Sequence, residues 1–361
     1  MNALGRRLRR EILSAGPITF ARFMELALYA PGLGYYERPR VPGRGGDFFT
    51  SVSVGPLFGQ LLAFQFAQWV DAGLPEGNVR FVEAGAHDGR LAADILAWLD
   101  RRRPDLLARL EYCLLDPSPV RRAWQEKTLL PWRRRLAWAP DIASLGAGQV
   151  SGIIFSNEFL DALPVHRLAW DAAGRTWREW RVAVEGETFV WRLGAADAEA
   201  ATCLPGVPGE LAAVLPDGFI VESAPLAAAW WRAAAAALRR GRLLTIDYGF
   251  AGDGWFRPER PQGTLRAFRR HRASVDLLAH PGGQDLTAHV NFSALEEAGR
   301  AAGLRTEGLL RQGQFLTRIL AQTHARPETF EPWNQQRVRQ FQTLTHPEHL
   351  GERFQVLVQA R

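Results

Sequence analysis

Val79-Arg-Phe-Val-Glu-Ala-Gly-Ala-His-Asp-Gly89 is the stretch that decides the fold. Its first six residues read as a short apolar strand, Val79 to Ala84. Gly85 and Gly89 then bracket a turn, and apolar residues at helical spacing run from Leu91 to Arg102. A glycine step from strand to helix lets the backbone approach a ligand, and the free N–H groups of the helix start favour an anion. The spacing is G-x-x-x-G, not the G-x-G-x-x-G of a dinucleotide loop. A bare strand–helix turn accounts for the stretch equally well.

Outward from this stretch the alternation repeats. Glu111 to Asp116 reads as a second strand, followed by a helix from Pro119 to Leu129. Leu136 to Ala139, Gly152 to Ser156 and Arg242 to Asp247 read as the third, fourth and fifth strands. Strands alternating with helices predict an α/β fold with a mostly parallel sheet. Helical patterns fill Asn2 to Ala30, with Leu4, Leu8, Ile12 and Leu13 on one side of the first helix. Phe58 to Val70 is a further helix, whose apolar stripe suits a core. Between them lies a loop rich in Gly, Pro and Tyr, from Ala30-Pro-Gly-Leu-Gly-Tyr-Tyr36 to Thr50, either a connector or a flap.

Two stretches break the alternation. Val165 to Leu193 reads as antiparallel strands carrying Trp170, Trp177, Trp180 and Trp191, with a turn at Ala172-Ala-Gly174. Gly252 to Asn291 is rich in Gly, Pro, Arg and His. Ligands of open α/β sheets sit at the carboxyl ends of strands, so insertions there would wall a pocket. The organisation follows: N-terminal helices and flap loop in 1–75, the first part of the core in 76–164, inserted strands and helices in 165–240, and core completion in 241–361 with an insertion at about 252–291.

The chain has 361 residues, 44 Lys+Arg against 38 Asp+Glu and a net charge of +6. Lys127 is the sole lysine, so the basic excess is arginine spread through the chain, which names no partner. Cys113 and Cys203 make no disulfide framework and fit a reducing compartment. No run reaches the roughly 18 apolar residues of a membrane span. Met1 to Phe23 is Arg-rich and acid-poor like a transit peptide, but Pro17-Ile-Thr-Phe20 opens a second helical pattern. An amphipathic helix is the preferred reading, with a cytoplasmic location expected.

The Glu83 to Gly89 loop looks like the E-x-G-x-G-x-G loop of class I S-adenosylmethionine (SAM) methyltransferases, with His87 in place of the middle glycine. Asp116, at the end of the second strand, is placed to accept from two ribose hydroxyls. Asp141 is a candidate for the adenine amino group or, alternatively, a helix N-cap. The fourth strand ends in Ser156-Asn-Glu-Phe-Leu-Asp-Ala-Leu-Pro164, with two carboxylates and an amide where an acceptor would meet a methyl donor. If the acceptor is a guanidinium, Glu158 and Asp161 could grip it and localise its charge. A helix start with acids complementing the dipole is the plain alternative.

On these motifs the chain resembles the MidA-like SAM-dependent methyltransferases. The resemblance is carried by Tyr29-Ala-Pro-Gly-Leu-Gly-Tyr-Tyr36, Gly46-Asp-Phe-Phe-Thr-Ser51, Glu83 to Gly89 and Asn157-Glu-Phe-Leu-Asp-Ala-Leu-Pro-Val-His166. It continues in Asp247-Tyr-Gly249, Gly263-Thr-Leu-Arg-Ala-Phe268, Asp285-Leu-Thr-Ala-His-Val290 and His346 to Val358. It implies a Rossmann-like, seven-strand core with an N-terminal helical segment and an inserted α+β substrate lobe. SAM is the implied donor, and a protein arginine, in a respiratory-complex subunit for some members, the implied acceptor. Carried over, Glu83, Gly85 and Gly89 form the donor loop, with Gly46, Asp47 and Thr50 in the flap beside it. Asn157, Glu158 and Asp161 face the reaction centre. Ser51-Val-Ser-Val54 departs from the family's Ser-Pro-Glu-Ile, and Asn291 stands where an aspartate is usual. Tyr248 and His289 are taken as substrate-lining residues. A metal site at His271, His280, His289 and Asp285 lacks ligand spacing, and none is expected. The cluster Arg266, Arg269, Arg270 and Arg272 reads as a solvated face or a contact for acidic protein or phosphate. The alternatives kept open are a nucleic-acid or small-molecule acceptor, nucleic acid being the less favoured, and a non-catalytic assembly factor on the same fold.

Overall fold

The computed structural model describes residues 1–38, 50–73, 77–204, 207, 209–269 and 272–361. Gly46, Asp47, Arg270 and His271 lie outside the described residues. The chain divides into two compact units.

The larger unit comprises Pro42–Leu160, Trp230–Gly249 and Leu295–Arg361. Among its described residues the strands are β1 (Val79–Ala84), β2 (Leu110–Leu115), β3 (Leu136–Ala139), β4 (Val150–Asn157), β5 (Leu238–Phe250), β6 (Arg305–Arg311) and β7 (Phe354–Ala360). They lie in the order β6-β7-β5-β4-β1-β2-β3. The five from β3 to β5 run parallel, and β7 is antiparallel to both β5 and β6. Ala84 is paired with Leu115 on one side and Ser156 on the other, and Ile246 with Asn157. The register thus brings the carboxyl ends of β1, β2, β4 and β5 to one edge. From β1 the chain moves outward to β2 and β3, then returns to β4 on the other side. The β1–β4 boundary is therefore the switch point where such sheets take ligands.

Leu57–Gly73 forms a helix that is apolar on nearly every side, and it is buried on nearly every side. Phe66 stands 5.0 Å from Phe155 of β4 and 5.5 Å from Phe81 of β1, and Phe64 meets Trp98 at 6.1 Å. The expected core role is what the packing shows. Helix Arg90–Arg102 buries Leu91, Ile95, Leu96, Trp98 and Leu99 at the predicted spacing.

The smaller unit comprises Met1–Val41, Asp161–Ala229 and Phe250–Ala294. In it the first two helices, Ala3–Ala15 and Phe20–Tyr29, belong with both inserted stretches, although 1–75 read as one N-terminal region along the chain. Asn2 caps the first helix by accepting from Gly5 N, and Thr19 caps the second through Arg22 N. Leu4, Leu8 and Ile12 are buried, but Leu13 is 61% exposed and lies off the face to which it was assigned. The predicted antiparallel stretch is His166–Asp171, Thr176–Glu185 and Thr188–Ala195, in antiparallel sequence. A second small sheet pairs Arg266–Arg269 with Arg272–Ser274 and Asp285–Thr287. Among the described residues no helix is long and apolar enough to cross a membrane.

Candidate active site

In the larger unit, Glu83 ends β1 at 2% exposure, and Tyr112 Oη of β2 donates to its Oε2 at 2.5 Å. Burial pushes the Glu83 carboxyl up to about 7; the Tyr112 hydrogen bond opposes this and Asp88 adds to it. The folded protein therefore keeps a proton that the unfolded chain releases near pH 4.5. Stability falls as pH rises through the window from there to about 7, by on the order of 3 kcal/mol for this group. Glu83→Gln removes that fall. Urea unfolding should show the variant gaining on wild type between pH 5 and pH 8; parallel pH profiles would contradict the assignment.

Past Glu83 the backbone turns through Gly85 (φ +76°), His87 (φ +46°) and Gly89 (φ +85°). His87 thus keeps the left-handed conformation that a glycine adopts freely, at a cost of about 1–2 kcal/mol. Its carbonyl accepts from Gln125 Nε2 at 3.1 Å and its ring lies 5.9 Å from Trp124. Burial would raise the neighbouring Asp88, but His87 and Arg90 hold it below the ordinary carboxylate value. His87→Gly should raise the thermal midpoint and His87→Val, β-branched in the same conformation, should lower it. Equal midpoints in calorimetry would mean that the strain is absent. A Cβ built on Gly85 would lie 2.8 Å from Phe159 Cβ, so the bare glycine is what lets the first motif meet the second.

Asp116 follows β2 at 8% exposure. Its carboxylate accepts from Ser118 N at 2.9 Å, Arg121 Nε at 2.9 and 3.0 Å, Arg121 Nη2 at 2.7 Å and Gln125 Nε2 at 2.9 Å. The acid stands at the strand's carboxyl end, but protein donors fill the acceptor positions that the ribose reading gave to two hydroxyls. Gln125 also accepts from Trp138 Nε1 at 2.9 Å, which ties helix Pro119–Thr128 to the loop and to β3. Asp141 is exposed and accepts from Ser144 N at 2.8 Å, the capping geometry named as its alternative.

The second motif is anchored by a residue that the sequence reading quoted but did not select. Asp247, fully buried in β5, accepts through Oδ2 from Phe159 N at 3.2 Å and Leu160 N at 2.9 Å, and through Oδ1 from Tyr248 N at 2.8 Å. Between these anchors Glu158 takes φ +50°. Its N–H donates to Ile246 O at 2.9 Å, and its Oε1 accepts from Ser51 N at 3.3 Å and Asn157 Nδ2 at 3.1 Å. Left-handed backbone at a non-glycine residue persists only where its surroundings over-determine it. Thr50 caps the turn beyond Ser51: Ser53 N donates to its Oγ1 at 3.1 Å. Ser51 is fully buried, with Oγ bonded to Gln312 at 3.1 Å. Tyr248 is half-buried and its ring lies 4.0 Å from Phe354.

In the smaller unit Asp161, at 5% exposure, shares the neighbourhood of Tyr36 with Asp285, at 3%. Tyr36 Oη donates to the Asp285 carboxylate at 2.9 and 3.1 Å, and Tyr29 stacks on Tyr36 at 5.6 Å. Desolvation pushes the Tyr36 phenol up, and Asp285, Tyr29, Asp161 and Tyr35 add to it. Three separated motifs thus meet at one acidic, aromatic cluster. Asp285, which opens one of the family-like motifs, accepts from Tyr36; among the described residues no group of three His, Cys, Asp or Glu suits a metal ion. His289 is not in this cluster's hydrogen bonds. Its N–H donates to Thr264 Oγ1 at 3.0 Å, and burial, then Arg260 and Arg266, push its imidazole down to about 4.

One feature suits a ligand that carries its own donors: Asn157 Oδ1, which is buried with no donor among the described residues. Glycine loop, switch point and strand order together define a class I SAM-dependent methyltransferase. A family model described as an S-adenosyl-L-methionine-dependent methyltransferase matches residues 61–310, and the chain belongs to that family. It is 30% identical to the mitochondrial protein arginine methyltransferase NDUFAF7 homolog of Drosophila melanogaster, over 98% of this chain and 84% of that protein. The human NDUFAF7 is 29% identical over 97% and 81%. A crystal structure of a Burkholderia thailandensis protein bound to S-adenosyl-homocysteine is 35% identical, with TM-score 0.82, over 99% of this chain and 92% of that one. SAM is accordingly the cofactor.

Proposed function

We propose that the protein transfers a methyl group from SAM to the guanidinium of an arginine in a protein substrate. The observation that carries this is Glu158, a carboxylate pinned at the switch point in a conformation that only its fixed neighbours sustain. SAM, when bound, supplies an electrophilic methyl on sulfonium. A guanidinium is positive and a poor nucleophile. A fixed carboxylate draws its charge toward two nitrogens, leaving the third more nucleophilic, and holds it in near-attack geometry. The N–C bond forms as the C–S bond breaks with its electron pair left on sulfur, and the methylated guanidinium passes its surplus proton to Glu158 and on to water. The products are S-adenosyl-homocysteine and methylarginine. Within the smaller unit, Asp161 and Asp285 gather with tyrosines in an acidic, aromatic cluster whose chemistry suits a cation. We place Gly85, Gly89 and Asn157 at the donor and Tyr248 at the acceptor. The names of the Drosophila and human relatives support the arginine reading.

Acceptor class is tested by offering labelled SAM with protein and with RNA from the same extract at rising salt. Label is expected in protein. Label in RNA, lost steeply with salt, would replace this reading. A cytoplasmic location is likewise our proposal, resting on two free cysteines that fit a reducing compartment and tested by cell fractionation.

A further inference from the structure

The smaller unit gathers arginines that the acidic cluster does not explain. Arg260 and Arg266 flank the turn Gly263-Thr264-Leu265, and His289 is tied to the same turn through Thr264 Oγ1. The turn is held by Glu222, at 6% exposure, which accepts from Thr264 N and Oγ1 at 2.8 Å each and from Leu265 N at 3.4 Å. The Arg260 guanidinium lies over Phe250, 4.9 Å from its centroid, and the His289 ring is 6.3 Å from the same ring. Trp255 packs on Phe250 at 5.3 Å.

Charge and hydrogen bonding are both incomplete at this place. Among the described residues Arg167, Arg260 and Arg266 form no ion pair, whereas Arg22, Arg103, Arg121 and Arg242 each have a carboxylate within 3.0 Å. Glu222 is near Arg167 and Arg260, but its oxygens are engaged by the turn. Arg260 donates to Gly254 O and Arg266, which is exposed, to Leu265 O; Glu222 and Glu259 offset part of the charge that Arg257, Arg260 and Arg266 bring together. His289 Nδ1 and Trp255 Nε1, the latter on a residue 8% exposed, are buried without a partner among the described residues. A site of surplus positive charge with unused hydrogen-bonding groups suits an anion with several acceptor lone pairs.

We propose that Arg260, Arg266, His289 and Trp255 form a subsite for a carboxylate side chain of the acceptor protein, so that the enzyme favours acidic protein substrates. The inference rests on the protein-arginine reading for its occupant, while the anion chemistry stands on these residues alone. It also gives His289 a substrate role, as a contact to an acidic side chain rather than to the guanidinium. Arg266, singled out in the sequence as part of a basic cluster, acquires a function by the same route.

The test uses the full chain with bound SAM and two blocked pentapeptides, Glu-Gly-Arg-Gly-Glu and Gln-Gly-Arg-Gly-Gln. Binding is followed by titration calorimetry and by the imidazole resonance of His289, assigned with a His289→Gln variant. The acidic peptide should bind about tenfold tighter at physiological salt and raise the titration point of His289. The preference should vanish in Arg260→Gln/Arg266→Gln while SAM affinity stays unchanged. A third peptide with lysine for arginine should keep the preference. Equal binding of the first two peptides, binding of neither, or a preference that survives in the double variant overturns the subsite. If the preference holds but no peptide is methylated, the arginine reading fails and the anion site stands.

Discussion

Glu158→Gln is expected to lower kcat for methyl transfer by about 100-fold or more while SAM affinity stays within about threefold. The size follows from removing one fixed charge that acts on the reacting group in a water-poor site. Glutamine keeps an Oε1, so the bonds from Ser51 N at 3.3 Å and Asn157 Nδ2 at 3.1 Å have an acceptor, and the φ +50° loop is still held by Asp247. Geometry is thereby separated from charge. Glu158→Ala would not separate them, because it leaves Ser51 N without its acceptor. The fall should appear in kcat and kcat/KM alike, as for an interaction made in the transition state. Full activity of the glutamine variant would remove Glu158 from the chemistry.

Gly85→Ala is expected to weaken SAM binding about 10- to 100-fold. The substitution meets two costs. Alanine at φ +76° is strained by about 1–2 kcal/mol, and its Cβ falls 2.8 Å from Phe159 Cβ. Phe159 cannot retreat freely: its ring packs on Trp230 at 5.3 Å and its N–H is bonded to Asp247. The displacement therefore passes to the loop that carries Glu158. Gly186, at φ +63° with nothing within 4 Å of a built Cβ, is the control. Gly186→Ala carries the backbone strain alone and should leave SAM binding unchanged. Calorimetric titration of both variants decides; equal affinities would mean that the packing of Gly85 on Phe159 does not shape the donor site.

The sequence was most legible where apolar runs met abrupt stops. β1 was read to the residue, because Gly77 and Asn78 precede it and Gly85 ends it, and β3 likewise. β5 was read only as Arg242 to Asp247, yet it begins at Leu238. Arg239 and Arg240 are exposed there, and the register with β4 slips between Leu238 and Arg240, so no apolar run marks the start. β7 was reached only through family resemblance. Gln355 and Gln359 interrupt its pattern, although both are buried, donating to Gly249 O at 2.8 Å and accepting from Trp231 Nε1 at 2.8 Å. At the site, residue types pointed to Glu83, Asp116 and Glu158, and the structure places each at the carboxyl end of a strand. The anchoring by Asp247 and the joining of Tyr36 to Asp285 across most of the chain were not legible, because they arise from pairing between distant segments. Nor was the left-handed turn at Glu158, which no residue type announces.

The central claim is methyl transfer to arginine, and one measurement meets it most directly. The enzyme is incubated with methyl-labelled SAM and protein from a cell in which its gene is deleted, and the labelled protein is hydrolysed to amino acids. Label should elute as methylarginine with wild type and be absent with Glu158→Gln. Label in another amino acid, or equal methylarginine from both enzymes, would contradict the account.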